Sequence, residues 1–135
     1  MTDQDRIAIE HDCAKLVARY ANLNDAGRWQ ELADLYAEDG RFARPSAPDD
    51  WIVGRDAILA SFVARPARQG RHLCTNIDIE VLSADTAQGT CALCLFTSDA
   101  PPRIGSFEDR FVRTSEGWRF VERRGVMHFS LPEPR

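Results

Sequence analysis

Hydrophobic residues recur at helical spacing in the first half of the chain and alternate with polar ones in the second. Ile9, Cys13, Leu16, Val17 and Tyr20 repeat every three or four positions, which predicts a helix over 5–23 with Asp5 as its N-cap. Asn24-Asp25-Ala26-Gly27 has turn chemistry and breaks that pattern. Trp29, Leu32, Leu35 and Tyr36 share one face of a second helix over about 28–36. Glu38-Asp39-Gly40 ends it, and 41–44 reads as a short strand. Residues 45–54, with two prolines and adjacent aspartates, form a loop. A third helix begins at Gly54-Arg55-Asp56, carries Ile58, Leu59, Phe62 and Val63, and stops at Pro66.

Beyond Pro66 the period changes. Segments 72–82, 88–98, 105–114 and 117–129 are extended, separated by turns at Ser83–Asp85, Ser98–Pro102 and Ser115–Gly117. Leu73, Thr75, Ile77, Ile79 and Val81 alternate with polar partners, as in a strand with one buried face. Helices followed by a meander of long strands predict an α+β fold with an antiparallel sheet. With no internal repeat, low-complexity stretch or linker, 1–135 reads as a single domain.

Composition narrows the functional classes. The chain is 44% hydrophobic and 28% charged, ordinary for a globular protein, and its net charge of −4 offers no basic field for nucleic acid. No apolar run is long enough to cross a membrane. The polar, acidic start lacks the form of a signal peptide, so a cytoplasmic location is expected, with Cys13, Cys74, Cys91 and Cys94 reduced. Cys91 and Cys94, three apart on a strand, point to opposite faces and have no second pair to complete a zinc site, so no metal is expected.

Candidate chemistry concentrates in two places. One is the segment from Tyr20 through Asp25 to Trp29; the other is Arg71-His72 at the head of the first long strand. If the fold brings Asp25 to His72, the two make a proton-transfer pair, with histidine as the side chain whose ordinary pKa suits a base at neutral pH. Tyr20 could donate to a developing oxyanion. Plainer readings compete. Asp25 could cap the second helix; His72 could be a hydrogen-bonded core histidine; Tyr20 lies on the apolar stripe of its helix. Asn76 shares strand parity with His72 and could line a pocket or satisfy backbone groups. His128 on the last strand could reach the pocket or its rim, while His11 falls on a solvated helix side. Arg123 and Arg124 face opposite ways, so one enters the interior; the charges at 108–110 and 119–124 are expected to pair across strands on a solvated or dimer face.

Several of these residues also carry a family resemblance. Tyr20-x4-Asp25-x3-Trp29, the Leu32-x2-Leu35-Tyr36 run, Arg71-His72-x3-Asn76 and Phe107-Glu108-Asp109-Arg110-Phe111-x-Arg113-x3-Gly117-Trp118-Arg119 resemble the SnoaL-like branch of the NTF2-like superfamily. That branch includes polyketide cyclases, scytalone dehydratase and a bile-acid dehydratase. The resemblance implies an NTF2-like cone, with three N-terminal helices packed on a curved, mainly antiparallel sheet. It implies His72 as general acid/base, Asp25 as its partner and Tyr20 as a third catalytic group. Arg44 stands where the dehydratases have a tyrosine, and Cys94 falls near a second pocket histidine of scytalone dehydratase. With Asn76, Trp29 and His128, these two are the expected substrate-binding residues. The implied activity is a lyase or isomerase reaction, dehydratase-like, on a small apolar cyclic molecule with no cofactor, in a homodimer. Two alternatives remain: a non-catalytic module that binds a small ligand or a protein, and a structural subunit like the small subunit of ring-hydroxylating dioxygenases.

Overall fold

The computed structural model describes residues 1–66 and 69–133. The first helix, α1 (Asp3–Ala26), is longer at both ends than its apolar stripe predicts. Thr2, not Asp5, is its N-cap: the Thr2 side chain accepts from the Asp5 N–H at 3.1 Å, and the Asp5 carboxylate accepts from the Thr2 N–H at 2.9 Å. At the other end α1 runs through Asn24-Asp25-Ala26 and stops at Gly27, whose φ of 69° a glycine adopts without steric cost. The predicted break lies a turn too early, and the added turn carries Asp25.

The second helix, α2 (Trp29–Ala33), is shorter than predicted because Leu35 and Tyr36 are claimed by other partners. Phe120 N–H donates to the Leu35 carbonyl at 2.8 Å, and the Arg55 guanidinium donates to the Tyr36 carbonyl at 2.7 and 3.0 Å. Tyr36 therefore opens β1 (Tyr36–Ala43). The stretch read as a loop contains β2 (Trp51–Val53), antiparallel to β1 and too short to show alternation. After α3 (Arg55–Val63) come β3 (Gly70–Val81), β4 (Thr86–Thr97), β5 (Ala100–Thr114) and β6 (Gly117–Ser130). They form one six-stranded sheet in the order β2-β1-β6-β5-β4-β3. Among the described residues only the β1–β6 pairing is parallel, so the fold is α+β with a mixed, mainly antiparallel sheet.

Strand β3 corrects the predicted alternation. Its register with β4 slips between Thr75 and Asp78, and Asn76 sits at φ 53°, a left-handed conformation that asparagine tolerates. A bulge exchanges the two faces of a strand. Before it, His72 and Cys74 are the inward residues and Leu73 is 46% exposed; after it, Ile77, Ile79 and Val81 turn inward. Asn76 is exposed and does not share the face of His72.

The core lies between the helices and the inner face of the sheet, with Tyr20 ringed by Tyr36, Phe42, Phe62, Phe107 and Phe120. It also holds an ion pair. Asp109 on β5 and Arg123 on β6 are cross-strand partners, both fully buried, with Nε 3.0 Å from Oδ1. That contact is off-axis for a hydrogen bond. The Arg123 guanidinium instead lies over the rings of Phe107 at 3.7 Å and Tyr20 at 4.2 Å. The expected solvated charge face thus holds only for the neighbours, such as Arg124 and Glu108 at 3.7 Å; the register directs Asp109 and Arg123 inward. Arg124 also donates to the Pro48 carbonyl at 2.9 Å, which ties the 45–50 loop to β6. Pro45 seats against Gly125, where a Cβ would come within 2.4 Å of the proline ring.

Burial pushes the Asp109 carboxyl up to about 7, against the opposing pull of the Arg123 charge. The folded protein therefore holds this proton more tightly than the unfolded chain, where the ordinary value is 3.8. Its stabilising contribution is complete below that lower value and is lost as pH rises through about 7. The urea midpoint of the wild type, measured relative to Asp109→Asn, is expected to fall as pH is raised from about 4 to about 8. A relative midpoint that rises over this range would show instead that the ion pair outweighs desolvation.

Candidate active site

Asp25 sits in the last turn of α1 and His72 near the start of β3, and the structure places them in direct contact. His72 Nδ1 is 2.6 Å from Asp25 Oδ1, and the His72 backbone N–H donates to Oδ2 at 3.0 Å. Arg71 Nη1 adds a contact to Oδ2 at 3.2 Å. The two side chains are largely withdrawn from water, at 8% and 18% exposure. An ionised carboxylate only accepts, so Nδ1 carries the proton and donates it, which leaves Nε2 on the far edge of the ring. Asp25 does not cap α2, whose N-cap is Arg28 with no side-chain capping bond.

His72 lines an inner hollow of about 180 Å³ and an outer mouth of about 520 Å³. Asn24, Arg44 and Arg65 line both as well, so the two cavities adjoin and share a wall. The register of the sheet builds the hollow in rows. His72, Leu95 and Arg103 are successive partners across β3, β4 and β5; Cys74, Leu93, Gly105 and Met127 make the next row. Gly105 adds no side chain, and a Cβ there would come within 2.4 Å of the Val126 carbonyl oxygen. Leu93, Leu95, Phe107 and Met127 form the apolar wall, while Arg44, Arg65 and Arg103 supply cationic groups. A larger groove of about 1150 Å³, along α1 and the β5–β6 hairpin, has mixed charges such as Asp12, Lys15, Glu31 and Arg119 but no histidine.

The other expected residues divide. Tyr20 lines the hollow, with its hydroxyl 2.9 Å from that of Tyr36. Burial raises its pKa more than the Arg123 charge lowers it, so it stays a neutral phenol and a proton donor. Arg44 lines hollow and mouth, and its Nη2 donates to the Ser61 carbonyl at 3.2 Å. Trp29 stands in the mouth against Phe62, with ring centroids 6.1 Å apart. Asn76, Cys94 and His128 do not line the hollow or the mouth. Cys94 faces the other side of β4 from the buried Cys91, as strand parity requires. His128 is exposed and bonded to Ser106 Oγ at 3.0 Å.

Arg65, Arg103 and the particular residues of the apolar wall were not among the expected site residues. Arg65 could have been found from its place just before Pro66, where α3 ends beside Asn24; its Nη1 donates to Asn24 Oδ1 at 2.9 Å. Arg103 becomes visible only when the β4–β5 register is known. Cys74, next to His72 on the inner face, has its thiol lowered to about 7, chiefly by a hydrogen bond from Cys91, but packs into the core without lining the hollow. Among the described residues, no group of three or more His, Cys, Asp or Glu is placed to hold a metal ion.

A helical layer on a curved mixed sheet, with a pocket at one end of it, is the architecture of NTF2-like proteins. Residues 5–124 match the SnoaL-like domain, and the chain belongs to that family. An NTF2-like protein from Novosphingobium aromaticivorans superposes with a TM-score of 0.76 at 28% identity, covering 90% of this chain and 85% of that one. A protein of unknown function from Mycobacterium tuberculosis gives 0.77 at 29% identity, over 90% and 77% of the two chains. A hexachlorocyclohexane dehydrochlorinase, LinA-type3 from Novosphingobium barchaimii, has TM-score 0.85 at 18% identity, over 98% and 94%, which shows a shared fold. No curated protein matches the chain by sequence.

Because one carboxylate anchors both the ring and the backbone of His72, it also ties α1 to β3. Asp25→Asn is expected to lose about 1–3 kcal/mol of stability, since the amide turns a donor toward at least one N–H. Urea unfolding measures it. An unchanged midpoint would mean that Asp25 does not hold these elements together.

Proposed function

We propose that the chain is a cofactor-independent enzyme of the lyase or isomerase type that moves a proton on a small cyclic substrate, acting in the cytoplasm. The observation that carries this reading is the 2.6 Å contact between Asp25 and His72 at the edge of a hollow with an apolar wall. In a dehydration, His72 Nε2 takes a proton from the carbon beside a carbonyl. The electron pair moves toward the carbonyl oxygen and then forms the C=C bond as hydroxide leaves with a proton, releasing water. Asp25 holds the ring in the Nδ1–H form and stabilises the imidazolium that results. Tyr20 donates to the oxygen on which charge develops. An isomerase would return the same proton to a different carbon. The dehydrochlorinase relative is named for removing hydrogen chloride from a ring, an elimination of the same formal kind. A cavity of about 150 Å³ accommodates benzene. The inner hollow is therefore matched to one ring, and a steroid-sized substrate would extend through the mouth.

His72→Gln is expected to lower kcat by about 10²–10⁴-fold with little change in unfolding midpoint. Retained turnover on an identified substrate would remove His72 from the mechanism.

The expected homodimer has a matching surface. Leu73, Cys94, Ile104 and Phe129 are successive partners across β3 to β6 on the outer sheet face, with Leu73 46% and Phe129 56% exposed. An apolar row of this kind is suited to a second copy of the sheet. Light scattering is expected to give the mass of two chains for the wild type and of one for Leu73→Lys/Phe129→Lys. A monomeric wild type would exclude the dimer.

A further inference from the structure

The polar side of the hollow is cationic and lacks a counter-charge. Arg44 and Arg103 both line it, and among the described residues no aspartate or glutamate does. Neither guanidinium is ion-paired to a carboxylate among the described residues. Their hydrogen bonds go to neutral acceptors: Arg44 Nη2 to the Ser61 carbonyl at 3.2 Å, and Arg103 Nη2 to Thr97 Oγ1 at a long 3.4 Å. In each, Nε is buried with no hydrogen-bond partner. A guanidinium carries five donors, and Nη1 of neither arginine has a hydrogen bond to a protein acceptor among the described residues, so the donors open to a ligand are on the Nη nitrogens. The acidic residue of the mouth, Asp25, is already engaged by His72 and Arg71.

We infer that the hollow selects an anionic ligand: a small cyclic monocarboxylate whose carboxylate is held by Arg44 and Arg103. This rests on the reading of the hollow as the reaction site and adds the charge of the substrate to it. A carboxylate supplies the geometry that guanidinium N–H groups match, with two oxygens accepting parallel donors. The distances agree. His72 and Arg103 lie in one cross-strand row with Leu95 between them, so their Cα atoms are about two strand spacings, roughly 10 Å, apart. That span leaves room for a ring, with its carboxylate on the arginine side, its opposite edge toward His72, and its faces on Leu93, Phe107 and Met127. The largely apolar, uncharged substrate expected from the resemblance would leave both arginines without an opposite charge.

The test compares two probes of equal shape, cyclohexanecarboxylate and cyclohexanecarboxamide, by titration calorimetry on the full chain. The wild type is expected to bind the carboxylate at least about tenfold more tightly than the amide. Arg44→Met and Arg103→Met are each expected to erase most of that preference, weakening the carboxylate far more than the amide. Equal binding of the two probes by the wild type, no saturable binding of the carboxylate, or a preference that survives both substitutions would overturn the inference. The wild-type comparison decides the matter even if a methionine variant fails to fold. His72→Gln separates this inference from the mechanism, because it is expected to keep the carboxylate preference while turnover is lost. A variant that keeps both would refute the proton-transfer reading alone.

Discussion

One carboxylate joins the helical and sheet halves of this protein. Asp25, in the extra turn at the end of α1, accepts from the backbone and the ring of His72 and contacts Arg71. A side chain that accepts a backbone N–H fixes where β3 begins relative to α1; by also accepting from Nδ1, it fixes the orientation of the ring. Structural and proposed chemical roles coincide, which makes the geometry durable: the strand cannot drift without breaking the contact that orients the imidazole. Gly27 supports this, because its left-handed stop two residues after Asp25 lets the helix carry the carboxylate to its last turn before the chain turns away.

The opposite wall depends on a second constraint. Arg123 and Asp109 occupy the centre of an aromatic core, an arrangement in which desolvation offsets much of the attraction between charges. Their placement gives Tyr20 a positive neighbour at the face of its ring, while burial keeps its hydroxyl protonated. The hollow is thus bounded by a neutral donor, a histidine with a fixed tautomer and two arginines with unmade hydrogen bonds. Each of these states is set by burial and register, and none by proximity in sequence.

That origin explains what could be read in advance. Element types follow from hydrophobic period, so the first and third helices and the long strands are legible from runs such as Ile9–Leu16, Ile58–Phe62 and Ile77–Val81. The family motifs single out Asp25 and His72 because both lie in short local patterns. Other features depended on partners distant in the chain. Tyr36 matches a helical stripe, but its carbonyl is taken by Arg55 and its neighbour's by Phe120, so it becomes a strand. Asn76 looks aligned with His72 until a bulge, visible only in the pairing with β4, turns it outward. Arg103 sits beside prolines in what reads as a turn, and only the hairpin register carries it to the row of His72.

Long-range ¹H–¹⁵N NMR of the His72 ring tests the Asp25–His72 coupling most directly. With the imidazole neutral, the proton is expected on Nδ1 and a lone pair on Nε2, and replacement of Asp25 by Asn is expected to weaken that preference. A neutral ring protonated on Nε2 in the wild type, or a tautomer indifferent to residue 25, would contradict the coupling from which the proposed chemistry follows.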